Sequence, residues 1–228
     1  MDSRWWARFS LTVWVSFVVA VLWLCVAVTA NADDLVTMQK DPNQWVHAGK
    51  NYALTRYSEL NQINTKTVKN LKVSWTFSTG VLRGHEGQPL VVGTMMYVVT
   101  PFPNVLYAFD LTQSGYPLKW KYRPDVDEAA LGMACCDAIN RGASYSQGKI
   151  VYNTLDGHTI AVDALTGREI WNVKVGDLSD GETMPMAPLE AIKICPQRCG
   201  SIACAGLERY VYISHTRMTV MMNTLANQ

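Results

Sequence analysis

The sequence lacks an excess of charge of either sign, because 20 Lys and Arg stand against 19 Asp and Glu in 228 residues. It therefore has no basic surplus of the kind that nucleic-acid-binding domains carry, and we expect no nucleic-acid partner. It also lacks metal-ligand spacing. Its four histidines are scattered, and the C-x3-C-x4-C run at 195–204 fits no common zinc pattern. The sequence predicts no metal ligands in this chain.

Two cysteines are adjacent, at Cys135 and Cys136. A disulfide prefers Cα atoms about 4.4–6.8 Å apart, whereas neighbours across a trans peptide are about 3.8 Å apart. A bridge between them would close a strained and easily reduced ring. Such strain is typical of functional sites. Two unconnected buried thiols are the alternative.

Residues 1–32 have the pattern of a secretory signal peptide. Arg4 and Arg8 precede the apolar run 11–28, and Ala30-Asn31-Ala32 has the small-x-small form of a cleavage site. The apolar run is long for a signal peptide, so an uncleaved membrane anchor is the alternative. Export would place the chain in an oxidising compartment, where a bridge between adjacent cysteines can persist.

An internal repeat follows. One copy, A-V-D-A-L-T-G-R-E-I-W, covers 161–171, and a looser copy covers 108–120. Short β-rich runs at Met96–Thr100 and Ile150–Thr154 precede them. In each copy, Asp and Thr side chains can cap a turn in which Gly adopts a positive φ, and the Trp can pack between neighbouring blades. A single hairpin would explain one copy, but a repeat of about 50 residues predicts an all-β propeller.

These residues resemble the N-terminal portion of the pyrroloquinoline quinone (PQQ) dependent alcohol dehydrogenases. The likeness is greatest to the methanol dehydrogenases, including the lanthanide-using type. Besides the blade motif, it is carried by the lead-in Trp45–Leu60 and by the segments Gly84–Leu90, Thr100–Asn104 and Cys135–Gly142. The resemblance implies an eight-bladed propeller, of which about three blades would fit here.

The resemblance also implies a cofactor site formed by Glu86, Cys135, Cys136 and Arg141. The cysteines would form a vicinal disulfide against one face of the quinone, and Glu86 would hydrogen-bond its edge. Arg141 would lie near the quinone oxygens and stabilise developing negative charge, which makes it the catalytic residue of this portion. Taken singly, Glu86 suggests a solvated loop carboxylate and Arg141 a surface ion pair, but the surrounding motifs favour the cofactor roles.

Nearby residues are predicted to be structural. We expect Asp137 and Asn140 to hold the turn after the paired cysteines, and Met184 and Met186 to lie in the core. His85 is expected to be a loop residue. The tryptophans of the repeat are expected to dock blades rather than stack on a cofactor.

The implied activity is the periplasmic oxidation of a primary alcohol, methanol, to the aldehyde. PQQ would be the cofactor, Ca²⁺ or a lanthanide ion would act as a Lewis acid, and a periplasmic cytochrome c would accept the electrons. The resemblance also allows a homodimer. The metal ligands and the catalytic Asp base of the family lie beyond the portion that matches.

Two departures from the family pattern affect these expectations. Pro185 replaces a Thr that contacts the cofactor, and proline offers neither a hydroxyl nor an N–H. After Leu189 the blade pattern stops. We therefore predict a signal peptide at 1–32, a propeller portion at 33–189 and an aberrant tail at 190–228, altered by a frameshift or truncation. On this interpretation the chain is an incomplete and inactive fragment; a genuine small extra domain is the alternative.

Two other functions are weighed. A non-catalytic propeller scaffold of the outer-membrane assembly type would share the blade motif, but it would need neither the paired cysteines nor Glu86 and Arg141. A membrane-anchored quinoprotein sugar dehydrogenase would need residues 11–28 to stay uncleaved, and the paired cysteines argue against it.

Overall fold

The computed structural model describes residues 34–134, 137–193, 208–213 and 219–222. The predicted signal peptide and the pair Cys135–Cys136 lie outside the described residues. The chain divides after Asp34, and Leu35–Gln228 is one compact unit. In the ranges that the structure describes, no helix is both long enough and apolar enough to cross a membrane.

The described part consists almost entirely of β-strands. Two short α-helices, α1 (Asp34–Met38) and α2 (Ala130–Met133), and two 3-10 helices, Val68–Asn70 and Leu178–Asp180, are its helical elements. The strands are β1 (Leu90–Val92), β2 (Met95–Val99), β3 (Leu106–Asp110), β4 (Leu118–Tyr122), β5 (Ala143–Ser146), β6 (Lys149–Asn153), β7 (His158–Asp163), β8 (Glu169–Lys174), β9 (Leu189–Lys193), β10 (Glu208–Ile213) and β11 (Thr219–Met222).

The strands form antiparallel sheets whose order follows the chain. β1–β4 make one four-stranded sheet and β5–β8 make a second, each a meander of consecutive strands. A three-stranded sheet has the order β11-β10-β9. The prediction of an all-β fold is confirmed, and a four-stranded meander is the topology of a propeller blade.

The repeat is visible in the strand register. Ala108 pairs with Trp120 across β3 and β4, and Ala161 pairs with Trp171 across β7 and β8. Each ladder shifts its register directly after that alanine. The two copies of the motif therefore each build a hairpin, as the sequence predicted, and both hairpins share this register shift although the first has the longer loop.

The predicted strands at Met96–Thr100 and Ile150–Thr154 begin and end one residue earlier in the structure, as β2 and β6. Thr100 and Thr154 leave the ladders because their N–H groups donate within turns, to the carbonyls of residues 105 and 158. The prediction followed apolar content, which does not show where such a turn begins.

The motif turns have the predicted chemistry. The carboxylate of Asp163 accepts hydrogen bonds from the backbone N–H and the hydroxyl of Thr166, both at 2.8 Å. Asp110 does the same with Thr112. The hydroxyl and backbone hydrogen bonds lower the pKa of both carboxyls. Gly167 has a φ of 73°, in the left-handed region where glycine is favoured.

The tryptophan of the first blade docks on the motif turn of the second. A Cβ placed on Gly167 would lie 2.6 Å from the Trp120 ring, so only glycine allows this contact. The indole N–H of Trp120 donates to the carbonyl of Ala164 at 3.2 Å, and the hydroxyl of Tyr97 donates to the same oxygen at 3.0 Å. The main core joins the two sheets around these contacts, and the predicted docking role of Trp120 is confirmed.

The lead-in segment is held by a buried lysine. Lys50 is 4% exposed, and its ammonium donates to the carbonyls of Gln39 at 3.4 Å, Asp41 at 2.5 Å and Gln44. Burial lowers the pKa of this ammonium. One cation thus satisfies three backbone acceptors that follow α1.

Replacing Lys50 by methionine is expected to lower the free energy of unfolding by about 2–3 kcal/mol, because the carbonyls lose a charged donor. Methionine keeps most of the apolar volume, so the loss reports the hydrogen bonds. Chemical denaturation measures it as a lower midpoint at an unchanged slope. The exposed Lys40→Met variant is the control; equal midpoints for the two variants would contradict the prediction.

Candidate functional site

Two motif segments meet at an isolated parallel bridge between Gln88 and Gly142. Gly142 has a φ of 112°, and a Cβ on it would lie 3.0 Å from the Gln88 carbonyl oxygen. A Cβ on Gly87 would lie 3.0 Å from the carbonyl oxygen of Asn140. Both glycines are therefore needed for this close approach, which brings together residues more than 50 positions apart.

The bridge places Glu86 and Arg141 side by side. A guanidinium nitrogen of Arg141 lies 3.6 Å from a carboxylate oxygen of Glu86, and both side chains are about half exposed. The backbone N–H of Arg141 donates to the carbonyl of Pro185 at 2.8 Å. Position 185 thus supports the site through its main chain, which proline retains.

Glu86 and Arg141 line a cavity of about 210 Å³. Arg56, Gln88 and Ser144 also line it. Two guanidinium groups and one carboxylate give the cavity a net positive charge. Such a site favours an anionic ligand with oxygen acceptors, since guanidinium groups bind carboxylates through paired N–H donors.

His47 lies against the same cavity and is fully buried. Neither ring nitrogen has a hydrogen-bond partner in the part of the chain that the structure describes. Burial lowers the pKa of His47 to about 4, so the ring is neutral at pH 7. Its ring centroid lies 4.7 Å from that of Tyr52.

The turn after the paired cysteines is held as the sequence predicted. Asp137 has a φ of 70°, and its carboxylate accepts the N–H of Ala138 at 2.7 Å and the Arg83 guanidinium at 3.0 Å. These two donors lower the pKa of Asp137. Asn140 is buried and donates to the carbonyl of Asn153 at 2.8 Å. Both residues are therefore structural, and they fix the backbone that presents Arg141.

Of the three other predictions near the site, two agree with the structure and one does not. His85 is exposed; its Nδ1–H donates to the carbonyl of Arg83 at 2.8 Å, and its Nε2 accepts from Thr79 at 3.1 Å. It is a loop residue, as expected. Met184 is buried, but Met186 is half-buried and lines the cavity, so its assignment to the core is wrong.

Sequence reasoning missed His47, Arg56 and Ser144 as members of the cavity. The lead-in motif containing Arg56 was recognised, but only as a resemblance. Ser144 is buried and donates to the carbonyl of Pro188, an ordinary structural contact. Only the tertiary fold brings these three residues to one cavity.

No group of three or more His, Cys, Asp or Glu side chains that could hold a metal ion occurs within residues 34–134 and 137–193 or the short described strands beyond. The site formed by the described residues is thus an ion pair in a positively charged cavity.

A family model described as PQQ: glucose/ethanol/alcohol dehydrogenase, beta-propeller domain, matches residues 45–187. The chain belongs to this family. The predicted family and the propeller fold are confirmed, and the two four-stranded sheets are propeller blades of this family of PQQ-dependent dehydrogenases.

Among the relatives, a lanthanide-dependent methanol dehydrogenase of Methylacidiphilum fumariolicum (strain SolV) is 57% identical over 157 residues, which are 69% of this chain and 26% of that protein. Subunit 1 of a methanol dehydrogenase [cytochrome c] of Paracoccus denitrificans is 45% identical over 185 residues, 78% of this chain and 29% of the relative. A solved europium-containing methanol dehydrogenase superposes with a TM-score of 0.69 at 50% identity, covering 80% of this chain and 29% of that one. The chain thus spans about a quarter of the length of the curated relatives it matches.

Proposed function

We propose that this chain binds PQQ at Glu86 and Arg141 and belongs to a periplasmic enzyme that oxidises a primary alcohol, methanol, to the aldehyde. The observation that carries this proposal is the Glu86–Arg141 pair at 3.6 Å in a positively charged cavity. Arg141 also follows the paired cysteines closely in the sequence. The names of the relatives support the substrate and a cytochrome c as the electron acceptor.

The residues present fit the proposed cofactor. PQQ is a planar quinone that bears carboxylate groups, and the cavity offers two guanidinium groups besides the polar side chains of Gln88 and Ser144. His47 adds buried polar atoms without partners among the described residues. The cavity volume of about 210 Å³ is below the roughly 300–1,000 Å³ usual for ligand sites. The described residues therefore fit one edge of the cofactor.

When bound, PQQ supplies the group that accepts the electrons of the alcohol. Arg141 would hold a positive charge beside the quinone oxygens and so would stabilise negative charge that develops there. Glu86 pairs with this guanidinium, would orient it, and would accept hydrogen bonds from the cofactor's edge. Cys135 and Cys136, bridged, would pack against one face. A Ca²⁺ or lanthanide ion would act as a Lewis acid in the complete enzyme, and the name of one relative states that it depends on a lanthanide.

Arg141→Gln is expected to weaken PQQ binding by about 10–100-fold, because it removes a charge-assisted hydrogen bond from a partly desolvated site. Glu86→Gln is expected to weaken it less, since an amide still accepts a hydrogen bond. Titration of the purified chain with PQQ, followed by quenching of tryptophan fluorescence, measures both.

The exposed Arg123→Gln variant is the matched control for loss of a positive charge. Its affinity for PQQ is expected to equal that of the wild type. If Arg141→Gln binds PQQ as tightly as this control, the proposed site is wrong. Binding is measured rather than turnover because the chain spans only part of its relatives' length.

A further inference from the structure

The segment 71–78 has the sequence of a β-strand but no strand partner in the described part of the chain. Apolar and polar residues alternate strictly along it, L-K-V-S-W-T-F-S, which is the pattern of a half-buried strand. Among the described residues, no strand pairs with it, and none of the N–H groups of residues 72–78 donates to a backbone carbonyl. Leu71 is 59% exposed and Val73 is 81% exposed. The segment therefore has two open edges.

The segment takes the place of the fourth strand of a blade. The Trp75 ring centroid lies 5.0 Å from that of Phe109 on β3 and 6.0 Å from that of Tyr116, in the loop after β3. Trp120 docks in the same way on the turn after β7, and Trp120 belongs to β4, the last strand of its sheet. The segment is thus positioned against the first blade as β4 is against the second, but the sheet to which it should belong is not among the described strands.

The three-stranded sheet has the opposite deficiency. β9 lies beside β5, as β1 does, so β9 corresponds to the first strand of a blade. With the order β11-β10-β9, β11 then corresponds to the third strand, and it has no neighbour on its outer side among the described strands. β11 has the sequence T-V-M-M and carries no charge that would protect an open edge. This blade lacks its fourth strand in the ranges that the structure describes.

The segment and β11 lie at opposite ends of the stack of sheets. On β3, Phe109 faces the segment, whereas Ala108 faces the core that the first two sheets share. On β5, Ala143 faces that same core, whereas the hydroxyl of Ser144 donates to the carbonyl of Pro188, next to β9. Two complete sheets therefore separate the two open edges, and those of one chain do not meet.

We propose that the segment 71–78 of one copy of this chain pairs with β11 of a second copy and completes the second copy's third blade. The pairing is antiparallel, as it is between β3 and β4 and between β7 and β8. The contact continues an interface that the fold already contains, because Trp75 of the incoming segment stays docked on its own first blade. The occupant is thus a second copy, and the inference does not depend on the proposed cofactor.

The expected assembly is a closed dimer. A head-to-tail contact gives a ring when its rotation closes. Each copy would contribute two complete sheets and one composite blade, so two copies would make six blades. Six lies within the range of four to eight blades that propellers use.

The test removes the ladder donors of the segment. Val73 and Ser74 are both exposed, and replacing both by proline removes an N–H from each edge while leaving the docked aromatic rings in place. The control is Val73→Ala with Ser74→Ala, which keeps both N–H groups. Sedimentation analysis over a range of concentrations gives the mass. We expect a dimer for the wild type and the control, and a dimer at least about 100-fold weaker for Val73→Pro with Ser74→Pro.

A synthetic peptide of residues 70–79 provides a second measurement. In excess, it is expected to occupy β11 and convert the wild-type dimer into monomers, whereas a peptide of the same composition without the alternation should not. A wild type that is monomeric at every concentration would overturn the proposal, as would equal dimer affinities for the proline and alanine variants. Masses beyond the dimer would overturn the six-bladed ring. Should circular dichroism show that the proline variant is unfolded, the peptide decides, and a dimer that it leaves intact refutes the pairing.

Discussion

Trp120→Ala is expected to lower the free energy of unfolding by about 3–4 kcal/mol. The substitution removes a ring packed against Gly167 and a hydrogen bond to the carbonyl of Ala164. Both contacts join the first blade to the second, so the loss is a loss of blade docking. Denaturant unfolding followed by circular dichroism measures the change.

Two further variants separate the parts of this effect. Trp120→Phe keeps an aromatic ring but removes the N–H donor, and it is expected to cost about 1–2 kcal/mol. Lys121→Ala, an exposed neighbour on the same strand, should change the stability by less than about 0.5 kcal/mol. Equal losses for Trp120→Ala and Lys121→Ala would show that the tryptophan does not hold the blades together.

Acidification is expected to destabilise the protein by about 3 kcal/mol through His47 alone. Burial lowers the pKa of this imidazole from 6.5 to about 4. Below pH 6.5 the unfolded chain therefore binds a proton at His47, whereas the folded chain does not bind it until the pH approaches 4. The stability is full above pH 6.5, falls as the pH decreases from 6.5 to 4, and loses nothing more from this residue below pH 4.

The measurement is the free energy of unfolding at several pH values for the wild type and His47→Leu. The variant cannot gain the proton, so the difference between the two proteins should grow from pH 7 to pH 4. His85→Gln is the control, because this exposed histidine already has partners on both nitrogens. Parallel pH curves for the wild type and His47→Leu would contradict the assignment.

The blades could be predicted from the sequence because their determinants are local. Asp163, Thr166 and Gly167 lie within five positions and specify one turn. The Trp that follows the motif in the first blade, Trp120, makes the predicted contact with the next blade. The same information repeats in the first blade. Local signals of this kind do not depend on how the remaining chain folds.

The Glu86–Arg141 pair could be proposed because its motif segments resemble those of a family. No local sequence pattern indicated that Arg56 lies at the same cavity, because its position depends on Gly49 packing against Leu54. Nor could the sequence tell that His47 would be buried without a partner among the described residues. Met186 was misassigned for the same reason: an apolar side chain in a loop can face a cavity as readily as a core.

The carbonyl of Ala164 accepts hydrogen bonds from both Tyr97 and Trp120. The acceptor belongs to the main chain, so no substitution of the side chain at 164 can remove it. The hydrogen-bond donors of this contact therefore belong to the first blade, while the second blade contributes a main-chain acceptor and the glycine that leaves room for the ring. A blade that carries both the turn and the donors could dock on a copy of itself, so duplication of such a blade would extend a propeller without a new docking surface having to arise.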